Sequence, residues 1–235
     1  MKNYRSSIPK GALEHIVSTF GTSRRRRKVE YVLDGKVVGV GYFHKTGELE
    51  SEYALRDGLL HGIAYRSDVP GRLLSSEPYA HGLPHGTAKQ WAGDGSLIGT
   101  YRMSRGTGVD LWWAEHGENG LPYLSEARYL RDGKLHGFEW WLNEDQKSVW
   151  SECHFQQSQK HGIERSWNQK GRLRRGYPRY WICDRRVTKR QYLRECGKDA
   201  SLPRYREIDN QPARSFPPEV KVVRYRPPEI HFGEL

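Results

Sequence analysis

Residues 55–62 read Leu55-Arg56-Asp57-Gly58-Leu59-Leu60-His61-Gly62, and residues 130–137 read Leu130-Arg131-Asp132-Gly133-Lys134-Leu135-His136-Gly137. Seven of the eight positions agree across a separation of 75 residues. Asp-Gly between apolar residues favours a two-residue hairpin turn, because both central residues must take φ > 0. Looser copies stand at Leu33-Asp34-Gly35, at His81-Gly82-Leu83-Pro84-His85-Gly86 and at Gln159-Lys160-His161-Gly162. A second anchor is a turn followed by Leu: Gly47-Glu48-Leu49, Gly71-Arg72-Leu73, Gly95-Ser96-Leu97 and Gly171-Arg172-Leu173. Asn119-Gly120-Leu121 and Glu144-Asp145-Gln146 fill this place in the remaining copies.

With Gly39, Gly62, Gly86, Gly108, Gly137 and Gly162 as phase markers, the steps are 23, 24, 22, 29 and 25 residues. Each step holds a strand, a turn, a second strand and a further turn, so each unit is one hairpin and the units stack. Side chains alternate between faces along a strand. Odd positions after the marker are mostly apolar: Ile63, Tyr65, Trp91, Val109, Leu111, Trp113, Phe138, Trp140, Leu142, Ile163 and Trp167, with Lys89 and Arg165 as exceptions. Even positions are mostly polar, with Trp112 and Trp141 as exceptions.

The composition fits a thin sheet. The 235 residues are 36% hydrophobic but carry 8 Trp, 14 Tyr, 6 Phe and 25 Gly. Mean hydropathy is -0.87. No segment approaches the roughly 20 apolar residues that span a bilayer, and the N-terminus has no secretory signal pattern. Cys153, Cys183 and Cys196 are odd in number and lack CxxC spacing, which predicts a reduced, cytoplasmic protein. The net charge of +11 sits at the ends. Residues 1–30 carry 8 basic and 2 acidic side chains, residues 31–170 carry 15 and 18, and residues 171–235 carry 16 and 8. A continuous basic face for nucleic acid is not expected from that distribution.

A strand start of the Gly-x-x-His-Gly type, followed by Gly-x-Leu at a period near 23, resembles the MORN repeat over about residues 29–175. It is most similar to the variant found in bacterial toxin-antitoxin and immunity components. The segments from Gly106 to Trp113 and from Arg175 to Tyr180 also resemble a bacterial family of about this length. The resemblance implies partner binding, in some members to a toxin. The chain departs from the pattern at 114–123, where an insertion widens one step, and at 156–160, where Gln-Gln-Ser-Gln-Lys replaces Asp-Gly.

The fold expected is mainly β: an elongated single-sheet meander or solenoid of about six MORN-like hairpins with short helical caps at both ends. Residues 1–28 form a helical cap and basic linker, 29–187 the repeat domain, and 188–235 a cap helix and Pro-rich tail. Leu13, Ile16, Val17 and Phe20 fall at i, i+3, i+4, i+7, which predicts a short amphipathic helix over residues 9–20. Residues 181–187 read as a last strand or hairpin. Thr188 suits a helix N-cap, with the helix running through about Cys196. Pro203, Pro212, Pro217, Pro218, Pro227 and Pro228 mark a tail that either packs as a strap or stays irregular.

No catalytic, cofactor or metal site is expected. Phosphate-loop, HExxH and GxSxG patterns are absent. His61, His85, His136 and His161 recur in His-Gly anchors, but equivalent positions two strands apart lie roughly 10 Å from each other, too far to share one zinc ion. Cys153 and His154 point to opposite faces and do not suit a nucleophile–base pair. Glu77, Glu126 and Glu152 recur at one place in the repeat, which reads as a structural position.

The candidate partner-binding residues are Trp112, Trp141, Asp110, Glu139, Glu144 and Asp145, with Glu115 beside them. The alternative is that the insertion or the C-terminal strap covers the two tryptophans. Arg24, Arg25, Arg26, Arg27 and Lys28 form a basic run that is a solvated linker, a contact for an acidic partner, or a phosphate contact. The function expected is a non-enzymatic, cytoplasmic protein-binding module, in the form of an antitoxin or immunity protein that neutralises a toxin encoded nearby. The alternatives are a binder of nucleic acid or anionic lipid through the basic termini, and a structural scaffold.

Overall fold

The computed structural model describes residues 4–118 and 120–220; Asn119, Pro227 and Pro228 lie outside the described residues. The chain is mainly β and antiparallel throughout. The first ten strands are β1 Leu13–Thr19, β2 Arg26–Leu33, β3 Lys36–Phe43, β4 Leu49–Arg56, β5 Leu59–Leu60, β6 Gly62–Val69, β7 Arg72–Ala80, β8 Leu83–Pro84, β9 Gly86–Trp91 and β10 Leu97–Met103. They form one sheet in the order β1-β2-β3-β4-β6-β7-β9-β10, with β5 on β4 and β8 on β7. The remaining strands are β11 Gly108–Ala114, β12 Tyr123–Arg131, β13 Lys134–Leu142, β14 Val149–Gln156, β15 Gln159–Lys160, β16 Gly162–Ser166, β17 Arg179–Ile182 and β18 Arg185–Val187. They form a second sheet in chain order, with β15 on β14.

The turns set this meander. Asp34-Gly35, Asp57-Gly58, His81-Gly82, Arg105-Gly106 and Asp132-Gly133 all have positive φ at both residues. Gln157-Ser158 and Cys183-Asp184 keep the same backbone without glycine. Five of these turns bond to the hairpin before them: Gly82 N to Leu60 O, Gly106 N to Pro84 O, Gly133 N to Gly106 O, Ser158 N to Leu135 O and Asp184 N to Lys160 O. A second recurrent device is a bulge. Glu50, Leu74, Ile98, Ser125 and Trp150 each stand as the extra residue where the ladder shifts, two residues or so into the returning strand.

Two expectations are corrected. The sheet is not single. Between β10 and β11 the ladder stops after the Ser104–Thr107 bridge. The Trp113 ring occupies the space over Gly99, where a Cβ would lie 2.2 Å from it. The Gln90 amide reaches past that gap to the backbone of Trp113, donating to its carbonyl at 2.7 Å and accepting its N–H at 3.0 Å. A side chain thus substitutes for ladder bonds, while the column of turns continues unbroken. Residues 9–20 are not helical either. Leu13–Thr19 is an edge strand, exposed along its length and paired with β2. β-Branched Ile16, Val17 and Thr19 favour this state, and pairing with β2 supplies backbone partners that an isolated short helix lacks.

One face of both sheets is covered by two segments near the ends of the described chain. Residues 4–8 cross the first sheet: the Tyr4 ring meets Tyr65 edge-on at 4.9 Å, Tyr65 Oη donates to Arg5 O, and Ile63 N donates to Ser7 Oγ. Residues 203–220 cross the second. Val149 N donates to Pro212 O, Arg214 N to Lys147 O, and Trp167 Nε1 to Asn210 O at 2.7 Å; Phe216 packs on Trp140. The core below holds Leu111, Trp113, Leu124, Leu142 and Trp167, each at most 5% exposed. Helix α1, Lys189–Cys196, is capped by Thr188 in a capping box and buries Tyr192 against Tyr180 on the same face.

Candidate functional site

The other face carries the second register row. Across the second sheet Trp112 pairs with Glu126 and Glu126 with Trp141; one row over, Asp110 pairs with Arg128 and Arg128 with Glu139. Trp112 and Trp141 thus flank Glu126, two strands or about 10 Å apart. Arg128 sits in the middle of three carboxylates. Its Nη2 bonds Asp110 and its Nε lies 3.3 Å from Glu126. The first sheet continues the row: Glu77 accepts Tyr79 Oη at 2.5 Å and Tyr101 Oη at 2.6 Å.

Burial raises the pKa of Asp110, against the pull of Arg128. Burial likewise raises Glu126, with Arg128 opposing and Glu139 and Asp110 adding to the rise. Glu139 is raised by burial too. One guanidinium therefore serves several partly desolvated carboxylates, and a further cation placed there would favour their charged forms.

The two tryptophans differ. Trp112 is half-buried and leans across to the first sheet. It helps close a cavity of about 20 Å³, room for one water molecule, with Tyr53, Arg66, Glu77, Tyr79 and Tyr101. Trp141 is 37% exposed and its neighbour is Trp150, 42% exposed, with ring centroids 5.6 Å apart. The exposed aromatic pair is therefore Trp141 with Trp150.

Glu144 and Asp145 stand apart from this cluster. Glu144 accepts the Glu118 N–H at 2.7 Å and pins the insertion. Asp145 accepts Lys147 N, Ser148 N and Ser148 Oγ and closes its own turn. Glu115 bonds Gly93 N. In the basic run, Arg25 donates to Lys45 O, Arg26 pairs with Glu14 over the Phe43 ring, Arg27 lies over Phe20, and Lys28 pairs with Glu30. Arg24 is exposed.

Sequence reasoning missed Tyr53, Tyr79, Tyr101, Arg128 and Trp150. A size pattern marks two of them. Tyr79 faces Gly62 and Tyr101 faces Ala88, so at these two places a large side chain on the returning strand meets a small one on the outgoing strand. Cys153 is buried, which pushes its thiol up to about 12, and His154 Nδ1 turns to Ile163 O. Among the described residues no group of His, Cys, Asp or Glu side chains could hold a metal ion, and no helix is long and apolar enough to cross a membrane. No family model, curated protein or solved structure matches the chain.

Proposed function

We infer that the chain is a non-enzymatic protein-binding module that receives a basic, partly apolar segment of its partner on the face bearing Trp112, Glu126, Arg128, Glu139, Trp141 and Trp150. One observation carries the reading. Residues 4–8 and 203–220 pack on the opposite face, and among the described residues this one keeps an exposed tryptophan pair beside carboxylates whose charged forms are disfavoured by burial. Exposed aromatics of this kind anchor interfaces, and a lysine or arginine from the partner would relieve the carboxylates. The hairpins resemble MORN repeats, and the specific form this suggests is an antitoxin or immunity protein neutralising a toxin encoded nearby. The three free cysteines support a cytoplasmic setting. Binding of nucleic acid or anionic lipid is the weaker reading, since four of the five cations from Arg24 to Lys28 already have partners.

The test compares capture by the native chain with capture by W141A/W150A and E126K/E139K, starting from a native lysate. The reading expects one protein to be retained by the native chain and lost by both variants. Retention of nothing by the native chain, or equal retention by all three, contradicts it.

A further inference from the structure

In three of the four His-Gly anchors the histidine has the same duty, His136 being the exception. Its Nδ1 accepts the backbone N–H of the first turn residue in the next hairpin: His81 N to His61 at 3.5 Å, Arg105 N to His85 at 3.1 Å, and Cys183 N to His161 at 3.3 Å. His61 and His85 show what this duty requires by itself, and so act as controls within the molecule.

His161 has two additions. The first is a thiol. Cys183 Sγ lies 3.6 Å from His161 Nδ1, and Cys183 is exposed. Its φ is 47°, in the left-handed region where other turns of the chain place Asp34, Asp57 and Asp132. Asp is favoured there and Cys is not. The second addition is a clamp on the far side of the ring. Nε2 lies 3.0 Å from Ser201 Oγ and 3.4 Å from Asp199 Oδ2, both from the segment after α1. The imidazole is only 3% exposed, whereas those of His61 and His85 have no such second clamp among the described residues. With Nε2–H directed at Asp199 and Ser201, the Nδ1 lone pair faces Cys183 and is shared between its backbone N–H at 3.3 Å and its thiol at 3.6 Å. Hydrogen bonds from Ser201 hold the Asp199 carboxyl below its usual range, so it is ionised and faces Nε2 of the ring.

We propose that Cys183 is a nucleophilic thiol, activated by His161, that forms mixed disulfides with low-molecular-weight disulfides. The thiol proton passes to His161 Nδ1, which gives up the Cys183 backbone N–H while it is protonated. The sulfur attacks one sulfur of the reagent, the reagent's S–S bond breaks, and the leaving thiolate takes the proton back from the imidazolium. The products are the protein mixed disulfide and one free small thiol. Asp199 and Ser201 are positioning residues. The other two thiols lack this arrangement: Cys153 is buried, and Cys196 Sγ faces Pro203 O.

The test incubates the full chain with oxidised glutathione at neutral pH and maps the adduct by peptide mass spectrometry. A peptide of residues 179–187 provides the rate of the same thiol without its histidine. Cys183 in the folded chain is expected to react about tenfold faster than in the peptide, and D199N to bring the rate down toward the peptide's with an unchanged circular-dichroism melt. S201A is the second variant should D199N fail to fold, and it is expected to slow the reaction in the same direction. A folded-state rate at or below the peptide's, or folded variants that react as fast as the native chain, overturns the proposal.

Discussion

Glu52 and Glu152 occupy the same rung of the repeat. Glu52 lies between Gly41 and Tyr65, and Glu152 between Trp140 and Arg165, with Tyr65 and Arg165 each three residues beyond a marker glycine. Both carboxylates are nearly inaccessible, at 2% and 3% exposure. In the first sheet Glu52 is met by neutral donors from the N-terminal strap: Tyr4 Oη and Ser6 Oγ, each at 2.7 Å. In the second sheet Glu152 is met by cations. Arg165 comes from the neighbouring strand and Arg214 from the C-terminal strap at 2.8 Å. One position in the hairpin thus holds down both straps, once with hydroxyls and once with guanidinium groups. A buried carboxylate here is an anchor, and its partners decide what its loss would cost.

The largest effect should come from E152A. It strands Arg165, whose side chain is 2% exposed, together with Arg214, and a buried charge left without its partner costs about 3–5 kcal/mol. E52A leaves only two neutral hydroxyls unpaired and should cost about 1–2 kcal/mol. Urea unfolding of both variants checks the order. Equal losses would mean that the two straps are held by packing alone, through Tyr4 on Tyr65 and Phe216 on Trp140.

The asymmetry extends to the open face, where the smallest effect is expected. Asp110, Glu126 and Glu139 have raised pKa values in the folded chain. The folded state therefore holds protons more tightly than the unfolded one. Their contribution to stability is full below the ordinary carboxylate range and is lost as pH rises through the raised values. E126Q/E139Q should flatten that fall. Unfolding free energies measured from about pH 4 to about pH 8 would show it, and a slope identical to the native one would remove the desolvated cluster from the account.

Much of the hairpin layout was legible because the turns are chemically distinctive. Asp57-Gly58 and Asp132-Gly133 need φ > 0 at both residues, and few pairs supply it. The capping residue Thr188 was legible for a similar local reason. Three things were not. The helix-like spacing of Leu13, Ile16, Val17 and Phe20 lies on an edge strand exposed on both sides, where no buried face enforces alternation. The break between the sheets depends on Gly99 lying under Trp113, a contact between residues on different hairpins that no local pattern announces. The open face was only half read. Each bulge, as at Ile98 and Trp150, shifts the alternation by one residue, so counting from the turn puts the returning strand's side chains on the wrong side. The parity counted from the marker glycines covers only the outgoing strands, which hold Trp112 and Trp141, whereas Tyr101 and Trp150 lie on returning strands. The thiol at Cys183 was hidden for another reason: His161 and Asp199 are 38 residues apart and meet only after α1 turns the chain back.

The division of labour between the two faces is tested most directly by tryptophan-resolved oxidative footprinting of the free chain with a short hydroxyl-radical pulse. Trp141 and Trp150 should be oxidised fastest, and Trp113 and Trp167, at 5% and 2% exposure, slowest. Oxidation of Trp113 or Trp167 at the rate of Trp141 would contradict the account, because the face assigned to the straps would then be open to solvent.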